Sequence, residues 1–558
     1  MSALPSPVPE SQTREKEFTA LDRVFGDFLL RKAGSGDDAL RTLGMELISA
    51  RREGHSFIHL SPENGRLLEK YPCLTDEECG LLAKEEDRLY LLREFRNEQA
   101  VAEAVAALLK KPPEPADFTD EEIDGACGTK LNSEQHHAVR NALSRSFALI
   151  SGGPGTGKST IIAAVAELEL ERDPRCVIRI AAPTGKAAEL LTVDLAKNLP
   201  GRDLQALTLH RLFGQNPETG KFRYNREKPL ECDLLIVDEC SMIPLDLAAG
   251  IFRGLPPDAR VVLVGDHRQL ESIGSGNVLD DLLSARQAPD SPLGQASAEL
   301  FTNYRAKSAP GIQRLAAEIR KERLSPEELC GLLRSGSEDC RFLPVASEND
   351  GMNETLRTLL PETAGKYWGE LPRLAADPEN REEAFACFKQ FRILTANRLG
   401  PGGCDRINEM IMRELGLHSR YVPGSALMVT QNSRATGLAN GDTGLVFATP
   451  DRGNRVFFEN FRDSFAPHEL PPHESAFAVT VHKAQGSGFS EVFFPMPQKD
   501  SPLLTRELFY TALTRAAKKI TIAGSPELVR LALSRKSHRN SFLAQRIDRL
   551  LKDEKNDL

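Results

Sequence analysis

Eight residues constrain this chain more than any others: GGPGTGKS, Gly152 to Ser159, set between the apolar run FALIS and the helix-forming STIIAAVAELELER. The pattern G-x-x-x-x-G-K-S/T requires a strand that ends in a tight turn and passes directly into a helix. Gly152, Gly153, Pro154, Gly155, Thr156 and Gly157 make that turn, because glycine lets successive backbone N–H groups point at one centre. Lys158 then carries a charge toward the β- and γ-phosphates of a nucleotide. Ser159, with Thr160 beside it, brings a hydroxyl to Mg2+ at the positive end of the helix. The expectation is an α/β chain that takes ATP and Mg2+.

The rest of the chain repeats the strand–helix alternation. VIRIAAP, LLIVDE and RVVLVGD follow FALIS as short apolar runs, each with a turn or helix signal behind it. A second set comprises FRILTAN, FAVTVHK, EVFFPM and KKITIAGS. Such alternation implies two parallel sheets covered by helices on both faces. Between the parts of the second set, roughly 420–475, alternating segments with NGDTG and DRGN turns predict a small inserted antiparallel barrel. Ahead of both, LLAKEEDRLYLLREFRNEQAVAEAVAALLKK has apolar residues at helical spacing and ends at the proline-rich acidic stretch PPEPADFTDEEID. The domains expected are therefore a helical unit at 1–124, a first P-loop domain at 125–340 and a second at 341–558.

Charge divides the chain more sharply than composition does. Residues 1–130 carry 26 acidic and 17 basic side chains, a balance of −9 that equals the balance of all 558 residues, so the remainder is neutral. An acidic segment is repelled by nucleic acid, which makes protein its expected partner. The 10 cysteines include no C-x-x-C pair, against a zinc site or a disulfide framework. No run of 18 or more apolar residues occurs and the proline-rich N-terminus has no apolar core, so neither a membrane span nor a secretory signal is expected, and the cytoplasm is the expected location.

Two further motifs add chemistry to the P-loop. LLIVDE ends a fully apolar strand in Asp238 and Glu239: one carboxylate can hold the metal with Ser159, the other can orient the attacking water. VGDHRQLESIG places Gln269 after the next strand, where it could sense the γ-phosphate.

In this order the motifs resemble those of superfamily 1 helicases, with the likeness covering most of residues 131–530. LNSEQHHAV resembles their adenine-sensing motif, through Gln135. FTNYR resembles the motif that presents an arginine, Arg305. APTGKAA and TLHRLFG resemble segments that touch the DNA backbone, and TVHKAQGSGF and YTALTRA resemble the last two motifs of the set. The resemblance implies two RecA-like motor domains and single-stranded DNA across both lobes. Thr184, Lys186, Thr208 and His210 would contact it from the first, and Thr480, His482 and Lys483 from the second. Within the superfamily, TVHKAQGS, APTGKAA and NGDTG are most similar to the RecD family, the alpha subunits of exodeoxyribonuclease V. That implies 5′→3′ translocation from duplex ends, RecB-like and RecC-like partner subunits, and a role in double-strand break repair and recombination. A free-standing RecD-like helicase and a P-loop switch without unwinding are the alternatives.

Arg515, in YTALTRA, is the arginine that the second lobe would bring to the phosphate. A guanidinium set among apolar residues is costly to bury without a negative partner, and the phosphate expected on the P-loop, in the other half of the chain, would be one.

Overall fold

The strand Phe147–Gly152 lies inside a six-stranded sheet, so the turn that follows it opens at the sheet's carboxyl edge. The computed structural model describes residues 18–552 except 77, 79, 217–218, 285–290, 305–308, 347–350 and 434. Strand order in the first sheet is Ala206–Thr208, Ile178–Ala182, Leu234–Val237, Arg260–Gly265, Phe147–Gly152 and Ser297–Leu300, every pair parallel. Leu234–Val237 is buried at every position, as a strand covered on both faces must be.

The second sheet is also parallel, ordered Cys340–Pro344, Ala516–Gly524, Phe489–Pro495, Phe391–Thr395, Ala478–Thr480. Its core begins well before the strand at 340: Ile312, Leu315 and Ile319 of the helix Pro310–Lys321 and Leu329 and Leu333 of the helix Pro326–Ser335 pack in it. These helices therefore belong with the second lobe, although the expected boundary put them in the first. Apolar helix faces report that something is covered, not what covers it.

Residues 426–475 form a five-stranded antiparallel sheet, ordered Ser464–Phe465, Gly453–Phe458, Thr443–Thr449, Ala426–Val429, His473–Ser475, around Leu427, Val446, Val456 and Phe458. In the N-terminal unit, Thr19 caps Ala20–Ala33 by a reciprocal box with Asp22. The expectation of continuous helix from 81 onward is corrected here. Leu82–Glu85 and Arg88–Leu91 form an antiparallel pair, with Phe57–His59 on the other side of Arg88–Leu91, and the helix starts only at Leu92. Glu86 sits at φ 55 between the two strands, so the chain turns back where helical periodicity alone reads straight through.

The helix Leu92–Lys110 does not stay within the N-terminal unit. Val101, Ala102, Val105 and Leu108 share a core with Phe147, Leu149 and Leu235 of the first sheet. Leu543, Ala544 and Ile547 of the last helix, Leu543–Lys552, join that same core. The end of the chain, expected with the second domain, thus completes the first lobe. No described helix is long and apolar enough to cross a membrane.

Candidate functional site

The P-loop is held open by its own backbone and by neighbours on three sides. Gly155 and Gly157 have φ of 80 and 87, values that a side chain would strain, and Gly157 caps the helix Lys158–Arg172 without any side-chain acceptor. The first N–H groups of that helix are left for a ligand. Lys158 Nζ donates to the carbonyls of Gly152 and Gly153, at 2.8 and 3.3 Å, which folds the ammonium over the loop. Thr156 Oγ1 donates to Gly153 O at 2.8 Å.

Gln135 braces the loop from the adjoining helix, Ser133–Ser144, where it is also the third residue of a capping box with Asn132. Its Nε2 donates to Thr156 O at 3.1 Å, while its Oε1 accepts from Asn132 N at 3.0 Å and from the Tyr304 hydroxyl at 3.1 Å. The FTNYR segment completes the bracing: Asn303 Nδ2 donates to Pro154 O at 2.8 Å and Tyr304 N to Gly155 O at 2.9 Å. Arg305 lies outside the described residues.

Asp238 and Glu239 stand at the end of Leu234–Val237, and both line the cleft that holds Lys158, Ser159 and Thr160. Glu239 takes a left-handed conformation, φ 51, uncommon for a residue with a side chain and found where a turn must aim it. Burial, with Glu239 beside it, pushes the Asp238 carboxyl up to about 6, against the pull of Lys158. Two adjacent, half-buried carboxylates facing one cleft favour a cation between them. The donor set fits Mg2+, which takes one or two protein oxygens and completes its octahedron with water and phosphate. Among the described residues no group of three or more His, Cys, Asp or Glu forms a metal cage.

The second lobe meets the first just beyond Arg260–Gly265. Arg515, 5% exposed, donates through Nη2 to Gln269 Oε1 at 2.9 Å and through Nη1 to Ser487 O at 3.0 Å. Its neighbours extend the contact: Tyr510 OH donates to Asp266 at 3.0 Å, Leu270 N to Thr511 Oγ1 at 2.8 Å, and Gln485 Nε2 to Leu270 O at 2.8 Å. Leu270 itself sits in the second lobe's core. Arg515 is thus buried with a neutral amide and a backbone carbonyl among its partners.

Tyr510, Asp266 and Arg320 were not singled out by sequence. A Cβ on Gly153 would come within 2.9 Å of Arg320 Nη1 and 3.0 Å of the Tyr510 hydroxyl, so both second-lobe groups border the phosphate loop. Arg320 lies in the ordinary charged run IRKER, and its local sequence carries no signal of this position.

The interlobe cleft has a volume of about 1080 Å3 and is lined by Lys186 and Lys483 as well as by the P-loop. Lys186 pairs with Glu189 at 3.4 Å and Lys483 with Glu474 at 2.7 Å. Thr184 and Thr208 are helix N-caps, accepting from Ala187 N and Arg211 N, both at 3.2 Å. A Cβ on Gly486 would lie 3.4 Å from Thr184 Oγ1, so the APTGKAA and TVHKAQGSG segments face each other across the lobes. Thr480 ends the edge strand of the second sheet, and the amide of Lys483 turns back toward its hydroxyl at 3.5 Å. His210 and His482 are half-buried and do not themselves line that cleft, although Lys483 beside His482 does, and burial lowers the pKa of both.

A P-loop on one parallel lobe, bordered by side chains of a second parallel lobe of the same chain, defines a two-lobed P-loop architecture. Two family models fit it: an AAA domain over residues 135–275 and a UvrD-like helicase C-terminal domain over 475–523. The chain is 36% identical to the RecBCD enzyme subunit RecD of Mycolicibacterium smegmatis, over 83% of its own length and 82% of that protein. It is 30% identical to the ATP-dependent RecD2 DNA helicase of Deinococcus radiodurans, over 85% of this chain and 61% of that one. Bacteroides Pif1 bound to single-stranded DNA superposes with a TM-score of 0.41 at 18% identity, covering 70% of this chain and 92% of that one. The chain belongs to the RecD family.

Proposed function

We propose that the chain is an ATP-dependent DNA helicase, acting in the cytoplasm as the RecD-type subunit of a RecBCD-type helicase–nuclease in double-strand break repair and recombination. The observation that carries this reading is the division of one nucleotide site between two lobes: Lys158 and Gln269 on the first, Arg515 on the second, joined through Gln269. Hydrolysis in such a site depends on how the lobes are set, and lobes that grip DNA convert that setting into movement.

In this reading the P-loop amides and Lys158 bind the phosphates, and Gln135 holds the loop against the adenine side. Ser159 and Asp238 would hold Mg2+, which when bound neutralises charge on the β- and γ-oxygens. Glu239 positions the attacking water and accepts its proton. Gln269 reports the γ-phosphate to Arg515, which with Arg305 stabilises charge on the transferring group. Thr184, Lys186, Thr208 and His210 on one lobe, and Thr480, His482 and Lys483 on the other, contact the backbone of single-stranded DNA at a duplex end. Backbone contacts of this kind bind without reading sequence. The family likeness supports 5′→3′ movement.

We read residues 426–475 as a small barrel inserted in the second lobe. The acidic, largely helical N-terminal unit is read as the docking face for RecB-like and RecC-like subunits. The test is DNA-stimulated ATP hydrolysis and unwinding of a 5′-tailed duplex by the chain with its co-purified partners. Lys158→Gln should reduce both to background, because the γ-phosphate loses its charge partner. Near-normal turnover in that variant would remove the chain from the P-loop motors.

A further inference from the structure

Beyond Ser534 the chain leaves the second lobe and crosses back over the first. Arg539 lies on that crossing. Its Nη2 donates to Ser272 O at 2.7 Å and its Nη1 to Gly274 O and Gly276 O, both at 2.8 Å, while Nε stands 2.5 Å from Glu271 Oε2. One guanidinium therefore gathers three carbonyls and a carboxylate of the loop 271–276. That loop begins two residues after Gln269.

Both ends of this short segment are anchored, and to different bodies. Toward Gln269 the anchors come from the second lobe: Arg515 on Gln269, and Thr511 and Gln485 on the backbone of Leu270. Toward Gly276 they come from the N-terminal unit. Gly276 N donates to Gly54 O at 2.9 Å, and Ser275 Oγ to Glu94 Oε2 at 2.6 Å. Gly54, at φ 95, packs so closely on Arg539 that a Cβ there would fall 2.5 Å from Nε. On the strap itself, Asn540 accepts from Ser56 N at 2.8 Å and donates to His55 Nδ1 at 2.8 Å.

We propose that Arg539 is a positioning residue for ATP hydrolysis: by fixing the carbonyls of Ser272, Gly274 and Gly276 it sets Gln269 against Arg515, and it makes that setting depend on the N-terminal unit. The inference rests on the reading of the interlobe cleft as an ATPase site. An unheld loop of this composition, ESIGSG, has two glycines and no apolar anchor, since Ile273 is 83% exposed. Without the guanidinium, the stretch 272–274 between Leu270 and Ser275 loses the bonds to Ser272 O and Gly274 O, and Gln269 is tied to the N-terminal unit only through a slack loop. Small misplacements near a reacting group reduce turnover by up to about a hundredfold. A lysine keeps the charge opposite Glu271 but not the planar fork that serves several carbonyls at once.

The experiment uses the full chain and compares Arg539→Gln and Arg539→Lys with the parent, alone and in a Gln269→Ala background. DNA-stimulated kcat, KM for ATP and melting temperature are read on each. The expected result is a kcat lowered between about tenfold and a hundredfold in Arg539→Gln, with KM near that of the parent. Arg539→Lys should fall between, and Arg539→Gln should add no further loss once Gln269 is alanine. Equal losses in both backgrounds, or a lower melting temperature with kcat per folded site unchanged, would overturn the proposal. Lys158→Gln in the same assay separates the two readings. If it stays active the ATPase reading has failed, and if it alone is inactive while both Arg539 variants match the parent, only the role of Arg539 has failed.

Discussion

Arg515 Nη2 and Gln269 Oε1 are 2.9 Å apart, although 246 residues separate them in sequence. The bond ties the last motif of the second lobe to the loop after the strand Arg260–Gly265 of the first. It gives a buried guanidinium a neutral partner that it can exchange. Neither the Gln269 amide nor the Ser487 carbonyl carries charge, and a bond to a neutral group costs less to exchange than one to a carboxylate.

Arg515→Lys should bind ATP almost normally and hydrolyse it far more slowly, by up to about 10³–10⁵. Lysine retains the charge and loses the fork. Nucleotide affinity and single-turnover hydrolysis on the same variant check this. Weak binding with an unchanged chemical step would place Arg515 outside the reaction.

Tyr510→Phe tests the neighbouring contact. The hydroxyl donates to a fully buried Asp266, which the variant leaves one donor short. Hydrogen bonds to charged groups are worth about 1.5–3 kcal/mol. The expected outcome is a loss of that order in chemical denaturation, much reduced when Asp266 is already asparagine. An additive result would show that the two side chains do not act together.

Asp281, half-buried in the helix Val278–Ser284 beside the last helix with its Oδ2 out of solvent, has its carboxyl pushed up to about 8 by desolvation, with Glu98 and Asp280 adding to it against Ser541. Its folded pKa lies above its ordinary 3.8, so the neutral form is favoured by folding. The stability this group contributes is complete below pH 4 and is lost as pH rises through about 8. Asp281→Asn, which cannot titrate, should match the parent near pH 4 and be the more stable of the two at pH 8. Denaturation curves at both values decide it, and parallel pH profiles would rule the effect out.

Removing residues 1–124 should abolish folding, not merely partner binding. The deletion takes Val101, Val105 and Leu108 from the core around Phe147 and Leu149, each worth about 1.5–3 kcal/mol when buried, against a typical domain stability of about 5–15 kcal/mol. Solubility and circular dichroism of the truncated chain are the readout. A soluble, folded product would show that the helix Leu92–Lys110 is dispensable to the first lobe.

The sequence was most informative where chemistry is contiguous. GGPGTGKS and LLIVDE carry strand, turn and function in one stretch, and both strands stand where the apolar runs put them. It was least informative where the meaning of a residue lies in a distant partner. Tyr510 looks like one more aromatic in a helix until Asp266, 244 residues away, is beside it. Arg539 sits in the polar stretch SRKSHRN and meets carbonyls more than 260 positions earlier. The hairpin at 82–91 failed for another reason: LLAKEEDRLYLL fits helical spacing as well as alternation, and the pairing of Arg88–Leu91 with Phe57–His59 decides between them. Likewise the helices at 310–335 present good apolar faces that do not say which sheet they will cover.

The last helix has a consequence for how the chain is made. Domains emerging from a ribosome generally fold in order, the N-terminal one first. Here Leu543, Ala544 and Ile547 are structural members of the core around Phe147, roughly four hundred residues upstream. The first lobe can form its sheet early, but its hydrophobic seam stays unsealed until residues 543–547 have been made and the strap has crossed back. A stop codon shortly before Arg539 would therefore spare every residue of the second sheet and still leave the nucleotide-binding half unfinished. Completion of the ATP-binding lobe is a report that translation has passed Ile547.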